Sequence, residues 1–547
     1  MLDADARAAG PRAVSRILVI GGYGGFGARL TRRLLAAGHQ VLVAGRSGDK
    51  AAAFCAGLPG AEPAVADRDS GIGMVLARER PELVIDAAGP FQASGYTVPE
   101  ACIAMRISYL DLADGRAFVV GIGRLDAAAK AAGVPVVAGA SSVPALSGAV
   151  VRALAGEDAV RQVEIAISAS NRAVAGRSVA AAILSYVGKP IVLWLGRRRH
   201  LATGWQELRR ECFAIAGEKP LRRWVALADV PDADLLPAAI EGRPATIFRA
   251  GTELGFQMIA LWLLSWPVRW GWIGTLRGAA GWLHPLQHLT GWAGSDRSAM
   301  SVTVTLAGLE RRWTLIAREG DGPEIPTLAA ALLAEEILAG RVAPGARDAG
   351  GLLTLAQFEP LFARLAIRHA ITERKSIPLY QRAMGARFRA LPEQVREMHR
   401  LHGDGGARGE GTVIRGKGVA QLIGRIMDFP PSGTWPLHVS FAERCGRERW
   451  NRDFGGHRFS SELSQARAGV VERFGPLRFE FDLPSDSAGL RMVLRRWSAF
   501  GVPMPRLLGP RIAAREWQED DRFRFEVDVR LPLVGPVVRY AGWLEPA

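Results

Sequence analysis

The sequence predicts an α/β protein in three parts: a doubly wound N-terminal domain, an inserted α+β domain and a C-terminal β-rich α+β domain. Three observations predict this class. Short apolar runs alternate with helical patterns up to residue 150, a glycine-rich loop joins the first strand to the first helix, and a strand-rich pattern follows residue 376. The predicted boundaries are a polar tail (1–15), the doubly wound domain (16–150), the inserted domain (151–375) and the C-terminal domain (376–547).

The glycine-rich loop follows an apolar run at 17–20, which is typical of a central strand buried on both faces of a parallel sheet. Gly22, Gly24 and Gly27 form a G-x-G-x-x-G pattern ahead of a helical leucine spacing over 28–37. We expect Gly22 to allow the tight turn, Gly24 to let the backbone approach phosphates, and Gly27 to let the helix pack closely on the strand. A glycine-rich turn without a ligand is the alternative, but the complete strand–loop–helix–strand context favours a dinucleotide site in a Rossmann domain. The predicted contacts in this loop are Gly22, Tyr23, Gly24, Gly25, Phe26 and Gly27.

The end of the second strand, 40–44, indicates which dinucleotide is bound. A site for NAD usually carries an acidic residue there, whereas this chain has Arg46, Ser47 and Lys50. We expect Arg46 to grip a 2′-phosphate with its guanidinium group, helped by the Ser47 hydroxyl and the Lys50 charge. Asp49 is expected to cap the following helix. The alternative is that Arg46 is a solvated loop residue; the missing carboxylate favours NADP(H).

The third and fourth strands are predicted at 64–66 and 83–88. Asp67 ends the third strand and is predicted to reach the adenine ring. Because ligands lie outside the carboxyl ends of parallel strands, the end of the fourth strand should border the nicotinamide half of the cofactor. The residues predicted there are Ala88, Gly89, Pro90 and Phe91.

A helix (95–105), a strand (108–112), a helix (124–132) and a strand (134–138) complete the predicted domain. Proton donors are hard to identify, because Tyr-x-x-x-Lys, G-x-S-x-G and H-E-x-x-H patterns are all missing from the sequence. The candidates at the strand ends are Tyr109, Asp111 and Asp114; a strand tyrosine is more often a core residue and an aspartate before glycine more often a turn residue. Reduction of an enoyl or imine group can also take its proton from water, so the acid is left open.

Five motifs together resemble the saccharopine-dehydrogenase-like NADP-binding family: GGYGGFG, AGRSGDK, IDAAGPF, YLDLADG and GASSVPALSG. The stretch 320–340 is similar to the C-terminal segment of that family, and the resemblance covers roughly 15 to 370. It implies NADP bound at the matched positions and an inserted domain that often mediates dimerisation, hence a homodimer. Members range from amino-acid dehydrogenases to lipid-associated oxidoreductases and trans-acting enoyl reductases, so the resemblance leaves the substrate open.

The inserted domain contains a Trp-rich hydrophobic segment, 254–292, with Trp262, Trp266 and Trp270 spaced to share a helix face. The segment is too short and too interrupted to span a bilayer. It is typical of a membrane-interface helix or the wall of an apolar pocket, and a buried dimer interface is an equal alternative. His284 and His288 lack a third ligand nearby, so no metal site is predicted.

The C-terminal domain is predicted to follow a polar hinge at 370–376, with an amphipathic helix over 380–401 and then alternating strands. A helical pattern at 490–497 interrupts the strands. This arrangement suggests an open sheet able to hold a hydrophobic ligand. The region resembles a domain family of unknown function that is often appended to saccharopine-dehydrogenase-like proteins.

The composition excludes some classes of partner and compartment. The net charge is +15 and the pI about 10.4, but only six of the 69 basic residues are lysines and no nucleic-acid-binding motif accompanies them. We therefore predict no nucleic-acid partner, although anionic ligands and membrane surfaces suit the charge. Four widely spaced cysteines and a first segment without a signal-peptide pattern predict a cytoplasmic protein, in which peripheral membrane contact runs through 254–292.

The functional prediction is an NADP(H)-dependent oxidoreductase that transfers a hydride to or from an apolar substrate, either a lipid or an acyl chain. The alternative is a non-catalytic NADP-binding protein that serves as a lipid-binding or partner-binding module. An amino-acid dehydrogenase ranks third, because no cluster of polar side chains for an α-carboxylate and an α-amine is recognisable in the sequence.

Overall fold

The structure is a computed structural model, and it describes residues 14–172, 177–276, 278, 292–401, 404–444, 446–467 and 469–547. Trp282, His284 and His288 lie outside the described residues. None of the helices within the described ranges has the length and apolar character that crossing a bilayer requires.

The N-terminal domain is built on a parallel sheet in the order β3-β2-β1-β4-β5-β6, the strand order of a doubly wound dinucleotide-binding domain. Its central strand has almost no exposed side-chain surface, as an apolar run between two helix layers requires. The strands are β1 (Arg16–Ile20), β2 (Gln40–Gly45), β3 (Ala61–Val65), β4 (Leu83–Asp86), β5 (Ser108–Asp111) and β6 (Pro135–Ala138). The helices are α1 (Gly25–Ala36), α2 (Gly48–Cys55), α3 (Ile72–Glu79), α4 (Thr97–Ala104), α5 (Arg116–Gly121), α6 (Asp126–Ala132) and α7 (Ser147–Ala155), with a 3-10 turn at Ile122–Leu125 and a π-helical turn at Ser142–Leu146.

The middle of the chain forms a second, mixed sheet in the order β10-β11-β12-β7-β13-β14-β16, with β8 and β9 attached through β12. Its strands are β7 (Gln162–Ala169), β8 (Pro190–Leu195), β9 (Arg198–Thr203), β10 (Arg209–Phe213), β11 (Leu221–Leu227), β12 (Ala245–Thr252), β13 (Ser298–Thr305), β14 (Leu309–Ala317) and β16 (Ile367–Lys375). The helices of this region are α8 (Arg177–Tyr186), α9 (Asp232–Ala239), α10 (Gly255–Arg269), α11 (Ile325–Leu338) and α12 (Leu355–Phe362), with a 3-10 turn at Gly322–Glu324.

The first two sheets share one continuous apolar core. Leu328 and Leu333 of α11 are fully buried in the same cluster as Val19 of β1 and Val302 of β13. In addition, β15 (Gly345–Asp348) pairs in parallel with β6 and becomes a seventh strand of the first sheet. A strand from much later in the chain therefore completes the N-terminal sheet. The alternation of strands and helices up to residue 150 did not predict this seventh strand.

The predicted hinge at 370–376 is wrong. These residues belong almost entirely to β16, which pairs antiparallel with β14 along its whole length. The segment is polar because β16 is an edge strand with exposed side chains, and Arg374 pairs with Glu310 across the ladder at 2.6 Å.

The C-terminal sheet is antiparallel, and the pairing of β22 with β24 closes ten of its strands into a ring, so the predicted open sheet is wrong. The strands are β17 (Asp404–Arg415), β18 (Gly433–Arg444), β19 (Arg447–Phe454), β20 (His457–Gln465), β21 (Gly469–Phe474), β22 (Leu477–Asp482), β23 (Ser485–Asp486), β24 (Gly489–Ala499), β25 (Val502–Met504), β26 (Arg511–Glu519), β27 (Arg522–Leu531) and β28 (Gly535–Pro546). The helices are α13 (Leu379–Met384), α14 (Glu393–Met398) and α15 (Val419–Ile426), with 3-10 turns at Gly385–Ala390 and Arg506–Leu508.

Two further predictions for this domain are corrected. The helix expected over 380–401 is broken, because Gly385 adopts a positive φ of 57° and Pro392 precedes α14. The segment 490–497, predicted to be helical, belongs to strand β24. Leu490 and Leu494 are four residues apart, and two residues at this separation share a face in a helix and in a strand alike. Buried residues of α13 and α14 share the apolar core of the closed sheet.

Candidate functional site

The glycine-rich loop makes the turn between β1 and α1, and the positive φ of that turn belongs to Gly21, at 76°. The turn glycine is therefore Gly21 and not Gly22. The N–H groups of Gly21 and Gly22 both donate to the carbonyl oxygen of Ala44, at 2.8 and 3.2 Å, which fastens the loop to the end of β2.

The other glycines of the loop are needed for close packing and for access. A Cβ at Gly27 would overlap the carbonyl oxygen of Gly21, so α1 approaches the loop as closely as predicted. A Cβ at Gly22 would lie 2.9 Å from the carbonyl oxygen of Val19. By contrast, a Cβ at Gly25 would meet no atom within 4 Å, because this face of the helix N-terminus is open.

The N-terminus of α1 fits a pyrophosphate. Gly24 is the N-cap residue, and no side chain caps the helix. Gly24 and Gly25 are exposed, while the Tyr23 and Phe26 side chains on either side are half-buried. The first-turn N–H groups of a helix have no partner within the helix, and together with the helix dipole they favour an anion. The loop therefore presents donors and space where a dinucleotide needs them.

The end of β2 presents the residues predicted to select the cofactor. Arg46 is exposed and has no hydrogen bond or ion pair with any described residue. Ser47 is the N-cap of α2 and accepts a hydrogen bond from the Lys50 N–H at 3.3 Å, so the cap is Ser47 and not Asp49. The Ser47 N–H donates to the Tyr23 hydroxyl at 3.2 Å, which joins the glycine-rich loop to this strand end.

The ends of β3 and β4 are joined by an arginine that the sequence analysis missed. Arg68 lies with its Nη2 3.2 Å from Oδ2 of the fully buried Asp86, and its Nη1 donates to the Ala88 carbonyl oxygen at 2.5 Å. Burial raises the pKa of Asp86 to about 6, against the lowering effect of Arg68. Asp67, the predicted adenine contact, accepts a hydrogen bond from the Asp69 N–H at 3.0 Å in a local turn.

The residues predicted beside the nicotinamide occupy two different environments. Ala88, Gly89 and Pro90 are half-exposed at the end of β4, and a Cβ at Gly21 would lie 3.1 Å from Ala88. The structure thus brings this strand end next to the glycine-rich loop. The Phe91 side chain is buried instead, packed 5.3 Å from the Phe118 ring, so only its backbone can border a cofactor.

The comparisons with known proteins agree with this geometry. The family described as "Saccharopine dehydrogenase NADP binding domain" matches residues 17–137, and "Domain of unknown function (DUF4166)" matches residues 391–544. Residues 17–137 are a saccharopine dehydrogenase NADP-binding domain. The protein is accordingly an NAD(P)-dependent oxidoreductase of the dehydrogenase type, and its cofactor is a nicotinamide dinucleotide.

Several solved structures have a partial likeness to the chain. Saccharopine dehydrogenase (L-Glu forming) from Saccharomyces cerevisiae is 12% identical and covers 65% of this chain and 100% of its own, with a TM-score of 0.44. Amine dehydrogenase from Mycobacterium smegmatis is 13% identical and covers 61% of this chain and 94% of its own, with a TM-score of 0.37. GenD2 from gentamicin A biosynthesis, in complex with NAD, is 14% identical and covers 65% and 93%, with a TM-score of 0.34. No curated protein sequence matches significantly.

Two of the three predicted proton donors are buried below the strand ends of the NADP-binding domain. Tyr109 and Asp111 have no exposed surface. Asp111 Oδ1 accepts hydrogen bonds from the Ala113 N–H at 2.9 Å and the Gly139 N–H at 2.7 Å, so this carboxylate holds the ends of β5 and β6 together. Burial raises the pKa of Asp111 to about 7 and, together with the carboxylate of Asp111, raises the pKa of Tyr109. Neither side chain can touch a substrate in this arrangement.

Asp114 is the least buried of the three predicted donors. It is half-buried and accepts a hydrogen bond from Gln92 Nε2 at 3.1 Å, and burial raises its pKa. Burial raises the pKa of Tyr186, at the end of α8, and the nearby carboxylates of Asp114 and Asp229 raise it further. Gln92 and Tyr186 were not predicted; Gln92 directly follows the IDAAGPF motif, which is the signal that could have indicated it.

One arginine makes hydrogen bonds between the NADP-binding domain and the middle sheet. Arg116, at the start of α5, donates to Asp229 at 2.8 Å, to Asp234 at 2.7 Å and to the carbonyl oxygen of Val192 at 2.6 Å. It therefore connects the NADP-binding domain to α9 and β8 of the middle sheet.

The described part of the Trp-rich segment forms α10 and the turn after it. The ring centroids of Trp262, Trp266, Trp270 and Trp272 follow one another at 5.9, 5.5 and 4.9 Å, so the predicted shared face is confirmed. Trp270 and Trp272 are exposed at the surface, at 55% and 75%. The guanidinium carbon of Arg269 lies 5.4 Å from the Trp266 ring centroid.

Proposed function

We propose that the protein is an NADP(H)-dependent oxidoreductase whose substrate carries an apolar chain, either a lipid or an acyl group. The observation that carries the proposal is the packing of α10 against Tyr186. The buried residues Met258 and Val268 of α10 pack in the same cluster as Tyr186, and Tyr186 is near enough to Asp114 for this carboxylate to raise its pKa. An apolar helix therefore lies behind the side chains that follow the strand ends, where we expect the nicotinamide.

The preference for NADP(H) is supported by the charge at the end of β2. Arg46 is exposed and free of carboxylate partners among the described residues, and Lys50 is exposed in the first turn of α2. Their positive charges favour a 2′-phosphate, and no acidic residue occupies the position at which NAD sites bind the ribose hydroxyl.

The reacting group of the substrate is a polar one, such as the carbonyl of an enoyl thioester or a ketone. We infer this from the Gln92 amide and the Asp114 carboxyl group at the strand ends. Both groups can form hydrogen bonds with a substrate oxygen, and neither favours contact with an alkyl chain. We assign Asp114 as the group that holds the proton, because burial raises its pKa toward the range useful for an acid.

The test is NADPH or NADH oxidation by the full chain with three probes: a short enoyl thioester, a long-chain enoyl thioester, and a 2-oxo acid with an amino acid. We expect turnover with NADPH and the long-chain probe. Turnover confined to the 2-oxo acid with the amino acid would overturn the apolar substrate. Asp114→Asn should lower kcat by about 10²–10⁴-fold and leave NADPH binding unchanged. Asp520→Asn, in an exposed turn of the C-terminal sheet, is the matched control.

We also propose that the exposed face of α10 contacts a membrane surface. Phe256 and Leu263 are 56% and 55% exposed, and the contacting tryptophan rings continue this apolar face to Trp272. Tryptophans flanked by arginine favour the boundary between headgroups and acyl chains. A homodimer that buries the same face is the competing proposal. Membrane contact predicts that added vesicles change the exposure of these tryptophans, whereas a dimer predicts that the protein concentration changes it.

A further inference from the structure

A cavity of about 820 Å³ lies away from the dinucleotide site, between the middle sheet and the C-terminal sheet. One wall is the β8–β9 hairpin, and the other is formed by residues of β18 to β20 with the turns after α15 and before β22. Its volume lies within the range of small-molecule sites.

The two walls of this cavity are held together by direct contacts. His438 Nε2 lies 3.0 Å from the carbonyl oxygen of Gly196, at the turn of the hairpin. Arg197 Nη1 donates to the carbonyl oxygen of Ala547 at 2.8 Å. A Cβ at Gly406 would lie 2.6 Å from the carbonyl oxygen of Gly196, so the backbones pack closely here. The cavity is therefore part of the folded interface between the two sheets.

Arginines outnumber carboxylates on the polar side of the cavity, which is lined by Arg198, Arg199, Arg449, Arg452 and Arg458 and by Glu207, Asp428 and Asp453. Three of these arginines have carboxylate partners: Arg449 pairs with Glu207 at 3.2 Å, Arg458 with Asp453 at 2.8 Å and Arg452 with Glu472 at 3.6 Å.

Arg198 and Arg199 differ from the other three. In the part of the chain that the structure describes, no carboxylate oxygen lies within 4.0 Å of either guanidinium group, and both side chains are exposed. Burial and the neighbouring Arg458 lower the pKa of His200, so this histidine adds no charge at neutral pH. Both arginines thus line the cavity without a carboxylate partner among the described residues, and the guanidinium carbon of Arg199 lies 5.7 Å from the centroid of the Trp194 ring.

The opposite side of the cavity is apolar. Phe459 is buried, Phe474 and Leu477 are half-buried, and Met427 and Ile426 lie at the end of α15. Ile426 is 72% exposed, and on the same face of α15 lie Val419 and Leu422, which are 65% and 59% exposed. An apolar strip therefore leads along α15 from the surface into the cavity.

We propose that this cavity binds an amphiphile with an anionic head, whose carboxylate or phosphate contacts Arg198 and Arg199 and whose apolar chain lies along Phe474, Leu477 and Ile426. The two guanidinium groups suit an oxyanion. A small inorganic anion alone would leave the apolar wall of the cavity exposed to water, whereas an attached apolar chain would cover it. The inference goes beyond the proposed function, because this ligand need not be oxidised or reduced and its site is built from other elements than the dinucleotide site.

The experiment is isothermal titration calorimetry on the full chain with four probes, each below its micelle concentration: dodecanoate, dodecyl phosphate, inorganic phosphate and dodecyl maltoside. We expect dodecanoate or dodecyl phosphate to bind at one site about tenfold or more tightly than the other two probes. The stronger of the two distinguishes a carboxylate head from a phosphate head. Equal binding of dodecyl maltoside, or no binding of either anionic amphiphile, would overturn the proposal.

Variants test whether the anionic amphiphile binds in this cavity. Arg198→Ala/Arg199→Ala should weaken the anionic amphiphile about tenfold or more, and Ile426→Asp, at an exposed position, should also weaken it. Arg364→Ala/Arg400→Ala, which removes two exposed arginines outside the cavity, is the matched control and should bind as wild type does. An unchanged affinity in Arg198→Ala/Arg199→Ala would overturn the proposal. NADPH binding should be intact in every variant, which separates this outcome from a failure of the proposed function.

Discussion

The guanidinium group of Arg68 pairs with the carboxylate of Asp86, with 3.2 Å between Nη2 and Oδ2. The same group donates to the carbonyl oxygen of Ala88 and lies 4.5 Å from the centroid of the Phe91 ring. Asp86 has no exposed surface, so Arg68 compensates its charge and fastens the end of β3 to the end of β4. This contact borders the site at which the nicotinamide half of the cofactor is predicted to lie.

Arg68→Met should lower the free energy of unfolding by about 3–5 kcal/mol at pH 8, because it leaves a buried carboxylate without its partner. Urea unfolding followed by tryptophan fluorescence measures the change. Adding Asp86→Asn to Arg68→Met should recover much of the loss, since the uncompensated charge is then gone. Arg78→Met, at an exposed arginine of α3, is the control. A loss in the double variant as large as that in the single variant would contradict this account.

The elements around the glycine-rich loop could be predicted because each has a local signal: an apolar run for β1, the glycine spacing, and the leucines of α1. Arg68 and Asp86 were missed for a physical reason. Their pairing joins two strand ends through tertiary contact. Asp86 lies in the IDAAGPF motif, but Arg68 belongs to no motif that would indicate its partner. The fully buried Asp86 and Asp111 each follow an apolar run directly, and that shared position was the available clue.

Arg46→Ala should weaken NADPH binding by about 1.5–3 kcal/mol, about 10- to 150-fold, through loss of a charge-assisted contact with the 2′-phosphate. NADH binding should stay nearly unchanged, since NADH has no such phosphate. Calorimetric titration with each dinucleotide measures both, and Arg78→Ala serves as an exposed control on the same domain. Equal losses of affinity for NADPH and NADH would show that Arg46 does not contact the 2′-phosphate.

Gly27→Ala and Gly25→Ala form a matched pair within one helix. At Gly27 the new Cβ would overlap the carbonyl oxygen of Gly21, so we expect a loss of about 1–3 kcal/mol in the free energy of unfolding. At Gly25 the Cβ meets nothing within 4 Å and the backbone is helical, so stability should be unchanged or slightly higher. Thermal unfolding of both variants checks this, and equal melting temperatures would contradict it.

The middle and C-terminal sheets were harder to predict, because their strand pairing is set at long range. β15 joins the first sheet from more than 200 residues beyond β6, and the closure of the C-terminal ring depends on the contact of β22 with β24. The helical reading of 490–497 failed because Leu490 and Leu494 fit both periods, and only the pairing partners decide between them.

Trp270→Ala/Trp272→Ala should reduce binding to anionic lipid vesicles several-fold, because these two side chains are the exposed end of the row of contacting tryptophans. Co-sedimentation with vesicles of phosphatidylglycerol and phosphatidylcholine measures the effect. Phe500→Ala, at an 84% exposed aromatic residue of the C-terminal domain, is the control. Unchanged vesicle binding together with a weaker dimer would favour the homodimer interface instead.

The buried carboxyl group of Asp111 should make the free energy of unfolding decrease as the pH rises. Burial raises its pKa to about 7 in the folded protein, above the 3.8 that it has when exposed. Between these values the folded chain therefore holds more protons than the unfolded chain. The free energy of unfolding must then fall as the pH rises from about 4 to about 7, by an amount on the order of a few kcal/mol for this one group.

Asp111→Asn should remove this contribution and keep the structure. The amide oxygen of asparagine can still accept the Ala113 and Gly139 N–H groups, as Oδ1 of the aspartate does. The variant should therefore gain stability relative to wild type as the pH rises from 5 to 8, measured by urea unfolding at each pH. Asp126→Asn is the control: a hydrogen bond from Lys130 lowers the pKa of Asp126, so its difference from wild type should be constant over the same range. A constant difference for Asp111→Asn as well would mean that Asp111 ionises in the fold as readily as in water.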